Sequence, residues 1–156
     1  MLRTLAAQSD AFPLTQPFRI SRGVKTVADV VTVEIACDGI IARGEGVPYP
    51  RYGESIAGDV GALAEKYQVV NIKLDKTGGL TGALALADAA AAAGLGVMTG
   101  SMISSSLSIA PALIIAARST FVDLDGPLWL ANDRPGGVGH GTGVLTPPAR
   151  GFWGTV

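Results

Sequence analysis

Apolar and polar residues alternate singly through the first third of the chain and then change to a mixed strand and helix rhythm. Val31, Val33 and Ile35 alternate with Thr32, Glu34 and Ala36, the period-two pattern of a half-exposed strand. Asp38-Gly39 is a turn dipeptide, and residues 40–45 read as the return strand of a hairpin. Two prolines interrupt residues 12–17, residues 19–25 read as a basic loop around Gly23, and residues 47–55 read as a second loop. Up to about Val47 the pattern predicts antiparallel β structure.

From about Gly58 the pattern becomes βαβαβ. A short helix over 60–66 precedes a strand that runs through Val69-Val70 into Asn71-Ile72-Lys73-Leu74-Asp75 and ends at Gly78-Gly79. An alanine-rich helix over 80–93 stops at Gly94, a glycine C-cap. A strand over 95–99, a helix capped by Ser104, Ser105 and Ser106 and reaching about Arg118, and a strand over 120–125 complete the run. Strands alternating with helices predict a parallel sheet with right-handed crossovers. The tail from Asn132 is rich in glycine and proline and reads as irregular wrapping structure.

Composition adds one anomaly. Charged residues make up 16% of the 156 residues, against about 25% in ordinary domains, while hydrophobic residues reach 48%. A chain this small has much surface to cover with polar groups, so the figures predict either burial against something else or descent from a larger fold. The net charge of -1 offers no electrostatic case for nucleic acid or an anionic membrane. The single cysteine, Cys37, excludes an internal disulfide and a thiolate zinc cluster. No apolar stretch approaches the roughly 20 residues of a membrane span, and a soluble, cytoplasmic protein is expected.

Side chains on a strand alternate between faces. Val70, Ile72 and Leu74 therefore share one face, and Asn71, Lys73 and Asp75 the other. On the last strand Phe121, Asp123 and Asp125 share a face, with both aspartates at its carboxyl end. α/β folds place their chemistry at such ends. Two readings stay open for a lysine and two carboxylates on one rim: a structural ion pair, or a lysine acid/base beside carboxylates that grip a cation. The glycine-rich run 136–143 lacks the following helix of a phosphate loop and reads as flexible tail. His140 reads as solvated, and Ser104–Ser106 as a helix cap with no base to pair them.

The runs NIKLDKTGGL, GSM and DLDGP, with the earlier FRISRG and VPYPRYGES, resemble the dipeptide epimerases of the enolase superfamily. The resemblance implies an α/β fold with an α+β cap, in which a capping-domain sheet lies over a modified TIM barrel. It implies an isomerase that moves the proton at the glutamyl α-carbon of L-Ala-D/L-Glu dipeptides, in peptidoglycan recycling. Two lysines flank that carbon, and Mg²⁺ held by three carboxylates stabilises the enolate. Lys73 matches one of the two lysines, on the sixth barrel strand. Asp123 and Asp125 match the pair that holds the dipeptide ammonium group. Lys25, with Arg22 beside it, falls where a basic residue meets the glutamyl carboxylate. Ser101 and Met102 line the pocket, and residues 49–54 match a cap loop that closes over it.

The chain departs from that family in its middle. A complete barrel needs about 250 residues. Here the sequence passes within a few residues from Gly53-Glu54-Ser55 to the helix before the sixth strand. The partner lysine and the three metal-ligand strands have no counterpart. The expected organisation is a capping portion over 1–57, a three-stranded βαβαβ portion of a barrel over 58–131 and a tail over 132–156. No metal ligands are assigned, and the family's Mg²⁺ is not expected to bind. A small dipeptide and further copies of the chain are the expected partners, with no nucleic acid and no membrane. The alternative to an epimerase is an inactive, truncated remnant that self-associates or only binds small ligands.

Overall fold

The computed structural model describes residues 3–21, 23–47 and 67–155. Arg22, the loop over 49–54 and the short helix expected over 60–66 lie outside the described residues. The chain divides into two compact units, one formed by residues 1–48, 103–110 and 125–156 and the other by 49–102 and 111–124.

The first unit opens with three antiparallel strands, β1 (Arg3–Ile20), β2 (Gly23–Cys37) and β3 (Ile40–Gly46), in that order across the sheet. Residues 19–25 are not the basic loop expected from their charge. β1 continues to Ile20 and β2 begins at Gly23, and these two residues pair directly. Pro13 and Pro17 do not end β1 either, because the ladder shifts register between Pro13 and Phe18. An irregularity of this kind is where a sheet tolerates residues that cannot donate a hydrogen bond. The Asp38-Gly39 turn forms as expected, with φ of 50° and 83°, the two positive values that a tight hairpin turn requires.

The second unit holds a parallel sheet in the order β4 (Val69–Ile72), β5 (Gly96–Gly100), β6 (Phe121–Asp123). Helix α1 (Gly79–Ala92) packs on β4 and β5 through Ala83, Ala87 and Ala90, whose spacing marks one helical face. Ile72 and Ala83 are fully buried in this core. Helix α2 (Ser106–Ala116) connects β5 to β6. Strand β6 is shorter than the 120–125 expected, because Asp125 adopts helical backbone angles and Gly126–Trp129 forms a 3-10 turn with Pro127 inside it. The sheet stops at three strands among the described residues.

The glycine-rich tail is more regular than its composition predicts. β7 (Gly139–Gly141) and β8 (Val144–Thr146) form a hairpin, and β9 (Gly154–Thr155) joins the edge of β3 as the fourth strand of the first sheet. Pro135, Gly136, Gly143 and Gly151 sit in its turns, while Gly139, Gly141 and Gly154 lie within its strands. No helix among the described residues is long and apolar enough to cross a membrane.

In the first unit the covered sheet face is the polar one. Directly opposed residues share a face, so Asp10 and Val30 lie with Gln8, Thr32 and Glu45, while Leu5, Ile35 and Ala42 lie on the other side. Val30 and Thr32 are buried, yet Ile35 is 46% exposed and Leu5 71%. A side-chain network accounts for the inversion. Arg134 donates through Nη2 to Asp10 and Glu45, both at 2.9 Å, and to the Thr32 hydroxyl at 2.7 Å. The Thr32 hydroxyl donates in turn to Asp10 at 2.6 Å. Through Nε, Arg134 also reaches Ser105 Oγ at 2.9 Å and Glu45 at 3.1 Å. The guanidinium stands 5.1 Å from the centroid of the Phe12 ring.

Glu45 has a fully buried side chain, and it closes the network by accepting from the Ser105 amide at 2.9 Å and from the Ser105 hydroxyl. Asp133 does the same for Ser106, accepting from its amide at 2.9 Å and from its hydroxyl. Carboxylates facing the amide end of α2 are favoured by the helix dipole. Ser105 also accepts the Leu107 amide at 3.3 Å, as an N-cap does. The serines therefore cap the helix as expected, but they are paired with carboxylates that no local sequence pattern announced.

Burial works to lower the Arg134 pKa, but its hydrogen bonds to Asp10 and Glu45 and their charges together raise it. The Thr32 hydroxyl, and after it Arg134, holds the Asp10 carboxyl below its ordinary value. A depressed carboxylate stabilises the fold above its unfolded pKa of about 4 and loses that contribution as pH falls through the folded value. Urea stability is thus expected to fall below roughly pH 4, and Asp10→Asn to flatten that fall, as read by denaturation midpoints from pH 7 to 3. Arg134→Ala strands the buried Glu45. It is expected to cost about 3–5 kcal/mol in the same assay.

Candidate functional site

The candidate site is the rim at the carboxyl ends of β4, β5 and β6. Parallel register sets it. Ile72 pairs with Thr99, so Lys73 stands level with Gly100, and Gly100 pairs with Asp123. Lys73 and Asp123 thus flank a glycine, with their backbones about 10 Å apart at two strand spacings. Gly100 carries no side chain, and Asn71 and Lys73 fill the space beside it. A Cβ there would lie 2.7 Å from Asn71 Oδ1 and 3.2 Å from Lys73 Cε, closer than ordinary contact allows. Lys73 is half-buried, and its Nζ donates to the Ser101 carbonyl at 2.9 Å. Ser101 and Met102 are half-buried at the same end of β5. Asp123 is exposed.

No Lys73–Asp123 ion pair forms among the described residues. Of the two readings of the rim, the structural ion pair is therefore absent, and the lysine is held by a backbone carbonyl. That arrangement keeps an ammonium donor in place while leaving the carboxylate open to solvent. Chemically, it can grip a small zwitterion or exchange a proton with one face of a bound molecule.

The remaining predicted residues belong to the first unit. Asp125 lies beyond the end of β6, where it accepts the Trp129 indole N–H at 2.9 Å. The Trp129 ring meets Phe18 edge to face, with centroids 4.9 Å apart and planes at 76°. Phe18 is paired directly with Lys25 across β1 and β2. Lys25 and Asp125 are therefore linked through an aromatic pair that sequence reasoning missed. The only signal for it was the spacing of Trp129 four residues after Asp125. Arg22 lies outside the described residues. Asn71 and Gly100 were also missed as site residues, although Asn71 shares a face with Lys73.

The family's magnesium requires several oxygen ligands at one point. Among the described residues, no group of three or more His, Cys, Asp or Glu side chains is placed to hold a metal ion. The donor set of the described residues does not fit Mg²⁺. His140, in β7, is exposed.

Known proteins resemble the chain in both sequence and fold. Over 96 residues it is 47% identical to the N-acetyl-D-glutamate racemase of a Pseudoalteromonas species, covering 62% of this chain and 30% of that protein. It is 51% identical over 84 residues to the L-Ala-D/L-Glu epimerase of Escherichia coli, covering 54% of this chain and 26% of that one. With the L-Ala-D/L-Glu epimerase of Bacillus subtilis the match extends over 132 residues at 32% identity, 82% of this chain and 33% of the relative. An enolase family member from Agrobacterium tumefaciens with homology to dipeptide epimerases, solved with sodium and L-Ala-L-Glu, superposes with a TM-score of 0.86. The identity there is 21%, and the superposition covers 98% of this chain and 100% of that one.

This chain carries a partial enolase-superfamily fold. It is related to the dipeptide and amino-acid epimerases, and among the described residues its parallel barrel is incomplete at three strands. No family model matches the chain. It spans a third or less of the length of these curated relatives. In this epimerase-like fold the antiparallel sheet corresponds to the cap, and the βαβ portion corresponds to part of the barrel.

Gly100→Ala tests how tightly the rim is built. Displacing Asn71 and Lys73 is expected to cost about 1–3 kcal/mol, as overpacking does, and a urea titration measures it.

Proposed function

We propose that this chain is a catalytically inactive, truncated relative of the dipeptide epimerases that keeps half of a substrate rim. The observation that carries this reading is the lone lysine of a three-stranded sheet, Lys73, held at 2.9 Å by the Ser101 carbonyl with no metal-binding cluster among the described residues. The relatives act on, or are named for, dipeptides and an N-acylated glutamate, so a small zwitterionic dipeptide is the ligand class proposed for the rim. Asp123 and Asp125 would receive its ammonium group, Lys25 and Arg22 its side-chain carboxylate, and Ser101 and Met102 would line it. Peptidoglycan recycling and a cytoplasmic location belong to the same proposal.

Epimerisation fails on physical grounds in such a site. Lys73 can address one face of an α-carbon, but inversion needs a second acid on the opposite face. Stabilising the charge that develops on the carboxylate is ordinarily the largest contribution to such a reaction. The described carboxylates do not converge on a point where they could hold a cation to do it.

Proton exchange at the glutamyl α-carbon of L-Ala-L-Glu in D₂O tests the reading, because it registers abstraction without inversion. No deuterium uptake above background is expected, with or without millimolar Mg²⁺, and Lys73→Ala changes nothing. Uptake that depends on Lys73 would mean that a working proton-transfer site survives and the remnant reading is wrong.

A further inference from the structure

The open face of the first sheet is apolar and carries opposite charges at its two ends. Along it run Leu5, Ala7, Ser9 and Ala11 of β1, Val31, Val33, Ile35 and Cys37 of β2, and Ile40, Ala42 and Gly44 of β3, set side by side by the register. Leu5 is 71% exposed, Ile40 50% and Ile35 46%. Charge enters this face at its two ends. Arg3 lies opposite Cys37 at one end, and Asp29 lies opposite Ala11 at the other. Both are exposed, and neither meets an opposite charge among the described residues.

We propose that this face is the surface through which two copies of the chain associate, stacked sheet on sheet about a two-fold axis that runs across the strands. That operation reverses the strand direction of the second copy. It lays Arg3 of each copy beside Asp29 of the other, roughly 27 Å along β1 at 3.4 Å per residue. A two-fold interface is self-complementary, and a face with one cation and one anion at opposite ends meets that condition only when reversed. The small residues Ala7, Ala42 and Gly44 leave the middle level, which suits the ~10 Å spacing of packed sheets.

Three strands about 4.8 Å apart and 27 Å long present roughly 400 Å² of sheet per copy. The total of about 800 Å² is below the ~1,200 Å² of stable interfaces, so the dimer is reversible and concentration-dependent. The proposal deepens the self-association of the remnant reading but does not depend on the activity test. A monomer could be inactive, and a dimer could still exchange protons.

Sedimentation velocity across a wide concentration range tests it on the full chain. Wild type is expected to pass from monomer to dimer. Ile35→Glu and, separately, Leu5→Glu should move the midpoint to at least about tenfold higher concentration, the change that one buried charge readily produces. Leu5 is so exposed that its change spares the fold, which circular dichroism verifies. Arg3→Glu and Asp29→Arg should each weaken association, and the double variant should restore it. A wild type that stays monomeric overturns the proposal and leaves the face to a partner of another sequence. A dimer indifferent to both apolar-face variants overturns it in favour of a sheet edge. Failure of the double variant to rescue overturns the two-fold arrangement.

Discussion

Burying a charge is tolerable only when it is matched, and the first unit is organised around that constraint. Glu45 has no solvent contact through its side chain, and its charge is met by Arg134 at 2.9 Å. Arg134 in turn gathers Asp10 from β1, Thr32 from β2 and Ser105 at the head of α2. Residues up to 124 positions apart in the chain are thereby fixed to one guanidinium. Replacing such a cluster with apolar groups is often harmless, whereas removing a single member is not. The network fixes which side of the sheet is covered, and hence which side is left open.

How much of this was legible in the sequence varied with the range of the cause. The strand-and-turn signals of Asp38-Gly39 and the helix stop at Gly94 act within a few residues, and the structure has both where they were expected. The parallel order β4-β5-β6 follows from alternation of strands and helices alone. The covered face of β2 was not legible. Hydropathy marks Val31, Val33 and Ile35 as the side to bury, and only a distant arginine in the tail reverses that. The same distance hides the carboxylate partners of Ser105 and Ser106. Charge in residues 19–25 suggested a loop, yet ladder pairing outweighs the local polarity and keeps Arg19, Ile20, Gly23, Val24 and Lys25 in strands.

At the rim, the order of residues along the strands was readable but their partners were not. Lys73 and Asp123 were expected on one rim, and the register places them on either side of Gly100. That the lysine would hold a carbonyl rather than a carboxylate depends on the path of the chain after β5, where Ser101 turns its oxygen toward Nζ at 2.9 Å. The Phe18–Trp129 contact beside Asp125 joins segments 111 residues apart in sequence, beyond any local pattern.

The two residues of β9 have a consequence out of proportion to their length. By pairing with Ile41 and Ala42 they occupy the outer side of β3, leaving β1 as the other end of the sheet order. Open-ended growth of strands into a filament requires a donor side and an acceptor side on every molecule. β9 covers only two of the seven residues of β3 and becomes the outermost strand in its place, so new pairing on that side would have to begin on a two-residue edge. A short outermost strand of this kind is one of the ways a sheet blunts its edge against strand-by-strand growth.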